Sequence, residues 1–134
     1  MLLPLLAIQP AAAEPGVLEV RVTGVRSAAG HVLVAVCDQA NFLQETCRYG
    51  GRAPAAVGVV TVRITSLPPG TYAAQAFADE NDNNKLDRNL FGLPIEGLGF
   101  SNDAKMRFGP PSFADAAFTI GPGGGQITFG LRYY

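Results

Sequence analysis

The sequence predicts an all-β protein, a single antiparallel β-sandwich of six to seven strands with one long ordered loop. Most segments alternate apolar and polar side chains with period two, which is typical of half-buried strands. The chain contains 16 glycines and 10 prolines, and this composition indicates many turns. No segment shows a helical period, and 134 residues fit one domain.

The N-terminal thirteen residues are typical of a signal peptide, so we expect the folded domain over residues 14–134. A short apolar stretch, Leu2–Ile8, leads to three alanines, and the small residues suit cleavage after Ala13. No basic region precedes the apolar stretch, so we expect the peptide to begin upstream of this start. The stretch is far shorter than the roughly 20 residues of a membrane-spanning helix and contains Pro4. We therefore expect a periplasmic or secreted protein without a transmembrane segment; a buried N-terminal segment is the alternative.

Each predicted strand is expected to turn its apolar side chains toward the core. The strands cover residues 17–24, 31–37, 57–65, 70–79, 115–120 and 126–134. The second strand is apolar on both faces, which predicts a central position in its sheet. The short link 26–30 suits a hairpin between the first two strands, with Gly30 near the turn.

The two cysteines, Cys37 and Cys47, are expected to form a disulfide in an exported protein. Closing a loop of about ten residues would contribute on the order of 2–3 kcal/mol, mainly by restricting the unfolded chain. A redox role would call for the CxxC spacing, which is absent. Two thiolates alone make a poor zinc site.

Charge and motif content disfavour several functional classes. The formal net charge of −1 provides no basic field for nucleic acid or an anionic membrane. His31 is the only histidine, and neither Ser101 nor Ser112 lies in a GxSxG motif, so we expect no Ser-His-Asp triad. A hydrolase that uses acidic residues of the long loop is the enzymatic alternative.

The stretch FADENDNNKLDRN, residues 77–89, places acidic and amide side chains on alternate positions. Calcium takes six to eight hard oxygen ligands, which such a loop can present. The predicted ligands are Asp79, Asn81, Asn83, the carbonyl of Lys85, Asp87 and Glu96. Leu90 replaces the bidentate Glu of an EF-hand, so we expect weak affinity, with a Kd of about 10⁻⁴–10⁻³ M. An ion-free turn, closed by Asx side chains on their own backbone, is the competing interpretation.

Residues 88–114 show no clean period, and loops of this length are usually functional or disordered. Recurrent aromatic and aliphatic side chains favour an ordered loop, and we take it as the predicted binding surface. Its candidate contact residues are Gly97, Phe100, Ser101, Asn102, Phe108 and Phe113. For each phenylalanine, packing of the loop onto the sandwich is the competing role.

The stretches DENDNNKLDRN, GLPIEGLGFSN and FGPPSFADAAF resemble the bacterial family of domain of unknown function 2141. The resemblance covers Phe77–Phe118 and the preceding LPPGTYA, and it implies a small exported protein. Ala78 and Asn84 depart from the His and Gly that relatives carry. Ala78 removes a possible metal ligand or acid–base group, which weakens an enzymatic interpretation. The LPPGTY turn also resembles prealbumin-like accessory domains, so we expect a prealbumin-like or immunoglobulin-like sandwich.

The predicted function is a non-catalytic envelope module that binds a protein or carbohydrate partner through the 79–114 loop. A structural component of an envelope assembly is a further alternative, and it would expose a sheet edge or an apolar patch.

Overall fold

The computed structural model describes residues 16–44, 47–84 and 96–133. Strands dominate the described residues, with two short helical segments late in the chain. The elements are β1 (Gly16–Val25), β2 (His31–Cys37), β3 (Tyr49–Pro54), β4 (Gly58–Leu67), β5 (Gly70–Asp79), β6 (Leu98–Phe100), a 3₁₀ turn (Ser101–Asp103), α1 (Phe113–Ala116), β7 (Ala117–Ile120) and β8 (Gly124–Gly130). The predicted signal peptide lies outside the described residues.

The first sheet has three strands in the order β4-β1-β8. β1 and β4 run antiparallel, whereas β1 and β8 run parallel. At the centre of the sheet, Val20 lies between Val62 of β4 and Ile127 of β8. The parallel pair joins the first and last described strands, so the chain between them supplies the crossover that parallel neighbours require.

The second sheet follows the order β3-β2-β5-β6, with β7 paired to the beginning of β5. Its strands are antiparallel. β6 and β7 share one edge of β5: β7 pairs with residues 70–73 and β6 with residues 75–77. β2 lies between β3 and β5, which confirms its predicted central position.

The core lies between the two sheets and is built from the period-two apolar side chains. Its fully buried members include Leu18, Val20, Val22, Val32, Val36, Val62, Ile64 and Phe129. Tyr72 is also buried there, and its hydroxyl donates to the carbonyl of Pro68 at 2.6 Å. Burial raises the pKa of Tyr72, with smaller contributions from Tyr49 and Asp38.

The all-β sandwich is confirmed, but the predicted hairpin between the first two strands is wrong. β1 pairs with β4 and β8, whereas β2 pairs with β3 and β5, so the link 26–30 crosses from one sheet to the other. The apolar faces of β1 and β2 are both buried in the same core. In a sandwich, the side chains on the inner faces of the two sheets interdigitate to form the core. The link 26–30 therefore places β1 in one sheet and β2 in the other.

A second, smaller apolar cluster covers part of the outer face of the second sheet. We call it the outer-face cluster. Its members are Phe42, Ala73, Phe77, Leu98, Phe100, Ala104, Met106, Phe113 and Ala116. The Cys37–Cys47 disulfide, with Cα atoms 5.1 Å apart, closes the loop that carries Phe42. The cysteine pairing was predicted from the sequence, whereas the cluster was not.

Within the described ranges, no helix is long and apolar enough to span a membrane.

Candidate functional site

The predicted calcium loop begins with a carboxylate that is already hydrogen-bonded to its own turn. Asp79 closes β5 and is fully buried. Its Oδ1 accepts from the backbone N–H of Asn83 at 3.2 Å, and its Oδ2 accepts from that of Asn84 at 2.7 Å. The Oδ1 of Asn81 also accepts from Asn83, at 3.3 Å. Both oxygens of Asp79 are therefore engaged in an Asx-type turn.

Glu96, the predicted sixth ligand, lies close to the same turn, and its carboxylate accepts a hydrogen bond from the backbone there. It is buried, and its Oε2 accepts from the backbone N–H of Glu80 at 2.9 Å. Lys85 and Asp87 lie outside the described residues. Across the described ranges, no group of three or more His, Cys, Asp and Glu side chains has a metal-binding arrangement. The calcium site stays a prediction of the sequence.

An ion pair and an aromatic ring fix the chain beside this turn. Arg26 Nε donates to Glu80 Oε1 at 2.9 Å, and its guanidinium lies 4.4 Å from the centre of the Tyr133 ring. The Tyr133 hydroxyl donates to the carbonyl of Gly24 at 2.9 Å. A Cβ at Gly97 would lie 2.7 Å from the Tyr133 ring. Gly97, a predicted binding residue, therefore permits close packing here.

The predicted binding residues Ser101 and Asn102 form a polar junction between strands. Ser101 is buried; its Oγ donates to the carbonyl of Ala116 and accepts from the N–H of Ala74 at 2.9 Å. Asn102 adopts a left-handed backbone (φ 61°), and its Nδ2 donates to the carbonyl of Ala117 at 2.7 Å.

Asp103 extends this junction to the other sheet. Its Oδ1 accepts from the backbone N–H of Gly130 at 2.8 Å, and its backbone is also left-handed, with φ of 50°. The GFSND motif therefore joins β5, β7 and β8. These hydrogen bonds engage the side chains of Ser101, Asn102 and Asp103 with other parts of the chain, Ser101 in the interior and the other two at the surface.

Phe100 and Phe113 pack against Phe42 in the outer-face cluster. The ring centres of Phe42 and Phe100 are 6.4 Å apart, and those of Phe42 and Phe113 are 5.9 Å apart, both edge-on. Such aromatic contacts add to the burial of apolar area. The described contacts of both predicted binding residues are therefore packing contacts.

Phe108 differs from the other five predicted binding residues. Its side chain is fully exposed (114% of the reference area), and its backbone is left-handed, with φ of 55°. The N–H of Arg107 donates to the carbonyl of Gly109 at 3.0 Å, which holds Phe108 at the tip of a tight turn. A bulky residue with positive φ is uncommon, because this backbone conformation is strained and persists only where the surrounding structure holds it.

An open cleft of about 490 Å³ lies in the same segment as Phe108. Cations, carboxylates, prolines and a hydroxyl line it. The lining residues are Asp103, Ala104, Lys105, Arg107, Pro110, Pro111, Ser112 and Asp115. A role for Lys105, Arg107 and Asp115 was not predicted from the sequence; charges interleaved with Gly and Pro around a phenylalanine were the available signal. We call the segment 103–115 the cleft segment.

A family profile described as "Uncharacterized protein conserved in bacteria (DUF2141)" matches residues 20–128. The chain belongs to this family. The match includes strands of both sheets, the Ser101–Asp103 turn and the cleft segment. No curated protein and no solved structure matches the chain.

Proposed function

We propose that the protein is an exported, non-catalytic module that binds a protein or carbohydrate partner of the cell envelope through the cleft segment. The observation that carries the proposal is the full exposure of Phe108 beside a polar cleft. An exposed aromatic side chain held at a fixed place loses apolar hydration on binding, and aromatic anchors dominate many interfaces.

The rest of the segment supports such a role because it is anchored at both ends. The Ser101–Asp103 turn is hydrogen-bonded to β5, β7 and β8. At the other end, Ser112 Oγ accepts from the N–H of Asp115 at 3.1 Å and caps α1. A preordered segment loses less conformational entropy when it binds a partner.

The cleft presents both charge signs, which favours a partner with polar groups over a purely apolar one. Lys105 and Arg107 are exposed cations, and Asp115 is an exposed carboxylate. Such groups contribute specificity and orientation around an aromatic anchor. Export is supported by the signal-like N-terminus and by the disulfide, which persists in oxidising compartments.

The buried acids support a non-catalytic role. Asp79 and Glu96 accept hydrogen bonds from backbone N–H groups, and neither lines the cleft. A hydrolase that used Asp79 or Glu96 would need that carboxylate directed at bound substrate.

Binding of the immobilised mature domain to solubilised envelope proteins and to isolated cell-wall sacculi of the producing bacterium tests this proposal. We expect saturable binding in one of the two fractions, weakened at least tenfold by Phe108→Ser, a loss of about 1.4 kcal/mol. Val57→Ser is the matched control, because Val57 is a 72% exposed apolar residue elsewhere on the surface. Equal binding by both variants, or no saturable binding in either fraction, would overturn the proposal.

A further inference from the structure

A second surface, distinct from the cleft segment, lies on the outer face of the second sheet. The outer-face cluster covers one part of this face. Beside it, a groove of about 350 Å³ runs over β3, β2 and β5. Its main lining side chains are Leu33, Ala35, Arg52, Gln75 and Phe77, and it shares no lining residue with the cleft. Within the described ranges, these side chains are only partly covered.

The groove arises from the register of the three strands. Leu33 lies between Arg52 of β3 and Phe77 of β5, and these three side chains form one row. In the next row, Ala35 lies between Gly50 and Gln75. Ala35 and Gly50 are small, so the second row leaves a depression beside the larger first row.

The floor is apolar, and the charged side chain that lines the groove is a cation. Leu33, Ala35 and Phe77 supply the floor, and no acidic residue is among the lining side chains. The described polar contact of Arg52 is with His31 Nε2, at 3.5 Å, and none of the described ion pairs includes Arg52. His31 in turn is held through Nδ1 by Asp82 at 2.7 Å.

We propose that this groove binds an amphipathic carboxylate of the fatty-acid class. The alkyl chain lies over Leu33, Ala35 and Phe77, where it loses apolar hydration. The carboxylate meets the Arg52 guanidinium, whose planar donors match a carboxylate in two parallel hydrogen bonds. The volume of the groove and its few polar groups on an apolar floor are those of small-molecule sites.

Titration of the ¹⁵N-labelled mature domain with decanoate, below its micelle concentration, tests the proposal by NMR. Decan-1-ol and decyltrimethylammonium serve as neutral and cationic probes with the same chain. We expect saturable shifts centred on Leu33, Ala35, Gln75 and Phe77, with decanoate bound more tightly than either probe. We expect Arg52→Gln to weaken the binding of decanoate about tenfold, a loss of about 1.4 kcal/mol. The same change should leave the affinity for decan-1-ol unchanged.

Two further variants separate the groove from general surface effects. Ala35→Leu fills the depression, and we expect it to abolish decanoate binding while preserving the folded spectrum. Arg63→Gln is the matched control, since Arg63 is an exposed arginine of a strand in the first sheet, and we expect it to bind decanoate normally. Equal affinity for decanoate and decan-1-ol, or shifts outside the groove, would overturn the proposal. Concentration-dependent shifts without ligand would also overturn it, because they would assign the groove to a second copy of this chain.

Discussion

The inter-sheet core and the outer-face cluster bury apolar side chains in different ways. The core consists mainly of β-branched residues that alternate along long strands, so each strand contributes one complete face. The outer-face cluster instead gathers aromatic, aliphatic and small residues from the outer face of β5, the short strand β6, loops and one helical turn. The residues that follow β6 are held by the hydrogen bonds of Ser101 to Ala74 and Ala116 as well as by apolar contacts. The core therefore determines the fold, whereas the outer-face cluster positions the cleft segment.

Large-to-small substitutions in the two regions compare them directly. Phe129 is almost fully buried between the sheets, and we expect Phe129→Ala to lower the free energy of unfolding by about 3–5 kcal/mol. The same change at Phe100 should cost less, about 3 kcal/mol, at the lower end of that range, because several of its neighbours are only partly buried. Urea unfolding measures both, with Val57→Ala as an exposed control that should change by less than about 0.5 kcal/mol. A larger loss at Phe100 than at Phe129 would reverse the ranking.

The polar junction provides the next largest effect. Ser101→Ala leaves the buried N–H of Ala74 and the carbonyl of Ala116 without their side-chain partner, which should cost about 1–3 kcal/mol. Asn102→Ala should cost less, about 1 kcal/mol, because its hydrogen bond to the carbonyl of Ala117 is exposed and water can replace the amide. Equal stability of wild type and Ser101→Ala in urea unfolding would show that the junction does not hold the segment.

The Asp79 turn separates the two interpretations of the acidic loop. The Asp79 carboxylate already accepts hydrogen bonds from two backbone N–H groups. We therefore expect Asp79→Ala to lower the free energy of unfolding by about 0.5–2 kcal/mol, as loss of a side-chain cap does. The loss should be the same with millimolar calcium and with chelator in thermal melts. A calcium-dependent rise of several degrees in the wild type alone would instead establish the predicted calcium site, because an ion that binds only the folded state raises its midpoint.

The smallest effect concerns Tyr72 in the core. Burial raises its pKa above the ordinary value of 10.0, so the folded state holds the phenol proton more tightly than the unfolded state does. The resulting stabilisation is complete below the unfolded pKa and is lost as pH rises through the higher folded pKa. We expect Tyr72→Phe to flatten the decline of stability above pH 10.0, measured by urea unfolding across that range. An unchanged pH profile would contradict the assigned effect of burial.

The sequence predicted the long strands because their periodicity directly reflects which face is buried. It missed β3, whose Gly50, Gly51 and Pro54 lower strand propensity, yet a Cβ at Gly51 would approach Arg63 O of β4 to 2.8 Å. It also missed β6, where a Cβ at Gly99 would lie 2.2 Å from the carbonyl of Gly130. These glycines allow close approach between strands that are distant in the sequence, and local sequence patterns carry no information about such contacts.

The candidate site was predictable to a smaller extent for a related reason. The sequence predicted Phe108 and the 79–114 loop as candidates, but the contacts of Ser101, Asn102 and Gly97 involve partners distant in the chain. The groove beside Arg52 depends on the register of β3, β2 and β5. Of these, β2 and β5 pair although they are not consecutive in the chain. Neither arrangement can be read from spacing alone.

Site-specific photo-crosslinking in the producing bacterium tests the central claim, that the anchored segment presents Phe108 to a partner. A photoreactive phenylalanine analogue replaces Phe108 in one variant of the chain and Val57 in a second variant. We predict a discrete crosslinked species from position 108 and none from position 57, identified by mass spectrometry as one envelope protein or as cell-wall glycan. The same species from both positions, or none from position 108, would contradict the claim that this segment is the binding surface.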